Sequence, residues 1–134
     1  MPMLLEHIDK IARDLQRDVL FVAFDRDTFP SYEVESYSAR NDLLQWLDQN
    51  KIIYRECGPI ASERGWESYR GQLYIDLPFD EKNKKYQLLD KHLSNEDNTP
   101  KIPGVLFFYL PLKVAMKNSH HDEPGFWEKW AENF

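Results

Sequence analysis

Residues 52–77 read IIYRECGPIASERGWESYRGQLYIDL, and their reading decides the fold. Two β-rich runs, Ile52–Cys57 and Gln72–Leu77, stand on either side of a long polar connection. Gly58-Pro59 ends the first run, as that pair punctuates regular structure. In the second, Leu73, Ile75 and Leu77 alternate with Tyr74 and Asp76, the period-two pattern of a half-exposed strand. Two consecutive strands without a helix between them do not suit a doubly wound parallel sheet, in which strands and helices alternate.

Working outward toward the N-terminus, Ser38 to about Asn50 predicts a helix with Leu43, Leu44 and Leu47 as its apolar stripe. Ser38 is placed to cap it, although Asp42 falls one residue too late for a capping box. Val19–Phe24, VLFVAF, is a continuous apolar run and predicts a buried strand. The intervening DRDTFPSYEVE, residues 25–35, is charged and contains Pro30, so it predicts a loop. Ahead of these, Leu4, Leu5, Ile8, Ile11, Ala12 and Leu15 recur at helical spacing and predict an amphipathic helix over 3–16.

Toward the C-terminus, Pro78 stops the second strand of the pair. A helix follows over about 81–94, with Tyr86, Leu89 and Leu93 inward, and then a turn-rich link over 94–104. Val105–Leu110, VLFFYL, predicts the fourth strand, closed by Pro111. A helical turn over 112–118 and a short helix over 125–133 complete the chain, with Phe126, Trp130 and Phe134 at i, i+4 and i+8. The order α-βαββαβ-α predicts an α+β fold: a ferredoxin-like βαββαβ sandwich with additional N-terminal and C-terminal helices. Phe21, Tyr74 and the all-apolar fourth strand make the second sheet face partly apolar, and the terminal helices are placed to cover it. No linker is long enough to divide the chain, so residues 1–134 are expected to form a single domain.

Charge and cysteine content bound the function. Seventeen basic against 23 acidic residues give a net charge of −6, which disfavours a phosphate backbone as partner. The one cysteine, Cys57, cannot close an internal disulfide or complete a zinc site; it reads as a small buried residue. A lone thiol fits a reducing compartment. The charges at Glu6, Asp9 and Lys10 interrupt any signal-peptide core, and no apolar run exceeds six residues, far short of the ~20 that span a bilayer. The expectation is a cytoplasmic protein with no membrane partner.

Two stretches resemble known motifs. VLFVAFDRDTF, residues 19–29, is similar to the opening motif of the haloacid-dehalogenase phosphatases, a strand ending in Asp-x-Asp. That resemblance implies a nucleophilic Asp25 and a general acid–base Asp27. Phe29 stands where the family has Thr or Val, and Thr28 lies one residue early; the bland reading gives both aspartates to turn amides. The βαββαβ order is also that of the RNA-recognition motif, which stacks bases on sheet aromatics. LFVAFD, residues 20–25, resembles its first-strand motif with Phe21 at the stacking position, and RGQLYIDL overlaps its third-strand motif at Arg70, Gly71, Tyr74 and Ile75. Gln72, Leu73 and Leu77 depart from it, and Asp25 and Asp76 put negative charge beside the platform. Nucleic acid is therefore not the expected partner.

Three segments remain as candidate sites. His120, His121, Asp122 and Glu123 form the densest set of titratable groups. The competing reading places Asp122 as cap of the last helix, with Pro124 in its first turn and the histidines in an exposed loop. Arg64, Trp66, Tyr69 and Arg70, in the 58–71 connection, are residue types enriched at binding hot spots. The aromatic tail GFWEKWAENF either caps the domain's own sheet or joins two copies as a homodimer. The binding candidates are thus Arg64, Trp66, Tyr69, Arg70, His120, His121 and Asp122, with no cofactor, no metal and no assigned catalytic residue. The expected function is a non-enzymatic protein–protein interaction module, such as an adaptor or an inhibitor or immunity-like protein. Its partner is another, possibly basic, protein, held by the 58–71 and 25–35 loops. A small hydrolase built from Asp25, Asp76, His120 and His121 is the alternative; it requires these groups to converge. Single-stranded nucleic-acid binding is the third reading; it requires Phe21 and Tyr74 side by side and exposed.

Overall fold

In a computed structural model, residues 7–31, 33–59, 71–126 and 128–129 are described. They form an α+β fold built on a four-stranded antiparallel sheet. Its strands are β1 (Val19–Phe24), β2 (Tyr54–Glu56), β3 (Leu73–Ile75) and β4 (Val105–Leu110), in the spatial order β2-β3-β1-β4. The helices are α1 (Ile8–Leu15), α2 (Ser38–Gln49), α3 (Lys84–Leu93) and α4 (Leu112–Ala115). Short 3-10 segments run over Val34–Ser36 and Met116–Asp122. Among the described residues no helix is long and apolar enough to cross a membrane.

The larger core lies on one face of the sheet. Leu20, Val22 and Phe24 of β1, Leu73 and Ile75 of β3 and Val105 of β4 meet Leu43 and Leu47 of α2 and Leu89 and Leu93 of α3. The alternate residues of the same strands face the other way. Val19, Tyr74 and Leu110 pack there against Ile8, Ile11 and Ala12 of α1, Ala115 of α4 and Cys57. Helices therefore lie on both faces, and the two-layer sandwich of the motif is not the whole architecture.

The predicted bounds of β1 and β4 coincide with those observed. Other boundaries differ for local reasons. Tyr37, not Ser38, is the cap residue of α2; Ser38 is already helical and no side chain caps that end. β2 is shorter than Ile52–Cys57, because Ile52 closes the end of α2 by donating to Leu47 O and is itself buried. The third helix starts at Lys84, where the Asn83 side chain accepts from Tyr86 N–H. β3 is not half-exposed: Tyr74 is only 4% exposed because α1 covers it. The first helix is described from Ile8 onward, and its 3–7 portion lies mostly outside the described residues. Phe126, Glu128 and Lys129 are helical; the rest of the predicted last helix, including Trp127, Trp130 and Phe134, lies outside them.

Candidate functional site

The hydrolase constellation does not assemble. Asp76 follows β3 at the register position of Val19, since Leu20 pairs with Ile75. Asp25 lies six residues further along the antiparallel partner, so the two carboxylates sit at opposite ends of the sheet, roughly 20 Å apart. Asp25 instead opens a turn: its carbonyl accepts from Phe29 N–H and its carboxylate from the Thr28 hydroxyl. Its own N–H donates to Gly104 O. The aspartates resembling a phosphatase motif thus begin a loop that folds onto Gly104.

Asp76 belongs to a second cluster. Tyr74 Oη donates to Asp76 Oδ1 at 2.9 Å, and Arg17 Nη2 donates to both groups at 3.0 and 2.8 Å. The Arg55 guanidinium lies 5.4 Å over the Tyr74 ring. Burial is the main cause that holds the Tyr74 phenol above its ordinary range; Arg17 pulls it down and Asp76 pushes it up. An open cleft of about 200 Å³ sits beside this cluster, lined by Leu15, Ile53, Tyr54, Arg55, Tyr74 and Asp76. Arg17, Tyr74 and Asp76 bond one another and pin the end of α1 to the sheet, with Arg17 Nε buried and unpaired among the described residues. Phe21 and Tyr74 are side by side across β1 and β3, but Tyr74 is buried, so the exposed stacking platform is not formed.

In the His120–Glu123 segment only His121 turns inward; His120, Asp122 and Glu123 are exposed. His121 is only 5% exposed and stacks on Phe126 at 4.8 Å, with His120 at 4.4 Å; His120 is exposed. Asp122 makes a two-pronged pair with Arg13, Nε to Oδ2 at 2.8 Å and Nη2 to Oδ1 at 2.9 Å. Arg13 Nη1 also donates to Asp9 Oδ2 at 2.8 Å and to Ala115 O at 3.1 Å, and Asn118 Nδ2 donates to Asp9 at 3.0 Å. Asp9 is 0% exposed. Hydrogen bonding to Arg13 is the first cause that lowers the Asp122 carboxyl, and the Arg13 guanidinium is raised in turn. This network ties α1 to the chain after β4. Among the described residues no group of three His, Cys, Asp or Glu side chains could hold a metal ion. Burial pushes the Cys57 thiol up to about 12, far from a reactive thiolate. Arg64, Trp66, Tyr69 and Arg70 lie outside the described residues.

The feature that sequence reasoning missed is the outer edge of β4. Among the described residues only β1 flanks this strand in the sheet. The Asp25–Gly104 bond sets the alternation of the ladder: Leu106, Phe108 and Leu110 turn their N–H and C=O toward β1. Phe107 and Tyr109 turn theirs outward. Both flanks of this edge are apolar. Phe108 is 44% exposed on one side, against Phe21 at 5.2 Å. On the other, Tyr109 is 50% exposed and stacks at 4.3 Å on Phe79, which meets Tyr86 at 5.6 Å. No Asp, Glu, Lys or Arg occurs from Ile102 to Leu112, although exposed edges ordinarily carry such charges to prevent pairing. The signal was present as an uncharged VLFFYL, but such a run also reads as a fully buried strand.

No protein-family model matches the chain, and neither does any curated protein or solved structure.

Proposed function

We propose that the chain is a non-enzymatic protein-interaction module that holds an extended segment as an added strand on β4. The observation that carries this reading is the uncharged, aromatic-flanked edge with outward Phe107 and Tyr109 backbone groups. Strand addition gains affinity from main-chain hydrogen bonds and selectivity from alternate side chains. Phe108 on one flank and Tyr109 with Phe79 on the other would contact successive side chains of the added segment. The separation of Asp25 from Asp76, and the commitment of Asp122 to Arg13, favour binding over hydrolysis.

The ferredoxin-like reading of the scaffold belongs to the same proposal. β1-α2-β2 and β3-α3-β4 are each split by a strand of the other unit in the order β2-β3-β1-β4, which supports it. Cytoplasmic residence is likewise proposed, on the buried reduced Cys57.

Selection from a displayed library of random seven-residue peptides tests the function. The selected peptides are expected to alternate apolar residues and to lose binding to a Tyr109→Pro variant, which removes one outward N–H without touching the bonds to β1. Failure to enrich any sequence, or equal binding to the folded Tyr109→Pro variant, overturns the reading.

A further inference from the structure

We propose that the strand added to β4 is the β4 of a second copy of this chain, paired antiparallel about a two-fold axis through Phe108. The inference rests on the strand-addition reading and names its occupant.

Backbone groups and the exposed Phe108 together select the register. At one end of the edge, Val105 N–H is already given to Ile102 O. At the other, Pro111 has no N–H, and its carbonyl accepts from Val114 and Ala115. The edge therefore offers the N–H and C=O of Phe107 and of Tyr109, and the C=O of Val105. Pairing Phe107 with Tyr109 of a second copy satisfies the N–H and C=O of both residues on each chain and leaves only the Val105 carbonyl, opposite Pro111. Sliding by one residue of each chain toward Val105 pairs Phe107 with itself and Tyr109 with Val105; it satisfies as many groups, but it leaves the Tyr109 carbonyl facing an N–H that is already used and moves the two Phe108 side chains apart. Sliding the other way sets Phe107 opposite Pro111. The Phe107–Tyr109 register brings Phe108 against its own copy in a non-hydrogen-bonded pair, where side chains approach most closely. Aromatic side chains then meet along both flanks.

Charge supports a second copy in this orientation. The strand itself is neutral, so a chain of net charge −6 can approach its twin there without opposing like charges. At the Gly104 end lies the turn carrying Asp25 and exposed Asp27, with Arg26 between them. Lys101 lies at that end too, with its ammonium on Lys91 O. At the Leu110 end lie exposed Lys113 and Lys117. Antiparallel pairing sets each copy's Lys113 and Lys117 opposite the other's mixed end, where Asp25 and Asp27 offset Arg26 and Lys101, whereas a parallel pairing would set Lys113 and Lys117 against themselves.

Sedimentation equilibrium and directed cross-linking test the inference. At about 100 µM, where a micromolar Kd populates the complex, the chain is expected to sediment at twice its 16.0 kDa mass. A Phe108→Lys variant, which opposes two lysines on the axis, is expected to sediment as a monomer while keeping the wild-type circular dichroism spectrum. Phe108→Cys places two thiols opposite one another within disulfide reach, and the native Cys57 is buried. It is expected to oxidise to a covalent dimer severalfold faster than Leu106→Cys, whose copies lie four residues out of register. A monomeric wild-type chain, a dimer indifferent to Phe108→Lys, or equal cross-linking of the two cysteine variants overturns the second copy. If the chain is monomeric and its selected peptides still fail on Tyr109→Pro, strand addition survives and the second copy is rejected. If those peptides also ignore Tyr109→Pro, both are rejected.

Discussion

Gly104 sits at φ +77°, and a Cβ built there would lie 2.5 Å from Thr28 Cβ and 2.8 Å from Phe29. Positive φ and a backbone–side-chain collision act together, so Gly104→Ala is expected to cost roughly 2–4 kcal/mol in denaturant unfolding. Arg13 is equally exacting. Arg13→Met would leave Asp9 fully buried without its guanidinium, a loss of about 3–5 kcal/mol, which the same unfolding experiment reads. Asp122 adds a pH dependence whose sign follows from its lowered pKa. Its contribution is complete above the unfolded carboxyl value of 3.8 and is lost as pH falls through the lower folded value. The acid limb of a stability–pH curve should therefore flatten in Asp122→Asn. None of these partnerships was legible locally. Asp122 looks like a helix cap because Pro124 follows it, and only the fold brings it to Arg13, 109 residues away. His121 is buried by the same closure.

At the scale of elements, the apolar runs VLFVAF and VLFFYL gave β1 and β4 to the residue, because β-branched and aromatic runs bounded by Asp or Pro have few alternatives. Their places in the sheet were not readable. Both look like central strands, yet β1 is central and β4 is outermost, since an apolar run reports burial or stickiness without distinguishing them. Tyr74 misled in the opposite direction. Its polar tip implied exposure, whereas α1 covers the ring and Arg17 and Asp76 take the hydroxyl. Tyr74→Phe is accordingly expected to cost about 1 kcal/mol, with α1 rather than the large core loosening first in hydrogen exchange. The charged ends of β4 make an element-scale prediction for association: Lys113→Glu should weaken the dimer several-fold, by opposing the Asp25–Asp27 turn of the second copy.

For the whole molecule, one sheet divides two unequal cores. The larger, under α2 and α3, holds the domain together. The smaller, under α1 and α4, is held by the Arg13 network and by the Tyr74 cluster. Charge and aromatic content point to a binding protein, and loops commonly carry function. The regular edge of the sheet is the stronger candidate, since it joins unspent backbone groups to exposed aromatic area. Residue-resolved amide exchange at two protein concentrations tests this most directly. In dilute solution Phe107 and Tyr109 should exchange fast while Leu106 and Phe108, bonded to β1, exchange slowly. At about 100 µM, above a micromolar Kd, Phe107 and Tyr109 should become protected as well. Slow exchange of Phe107 and Tyr109 in dilute monomer would contradict a free β4 edge, and fast exchange at both concentrations would contradict its pairing with a second copy.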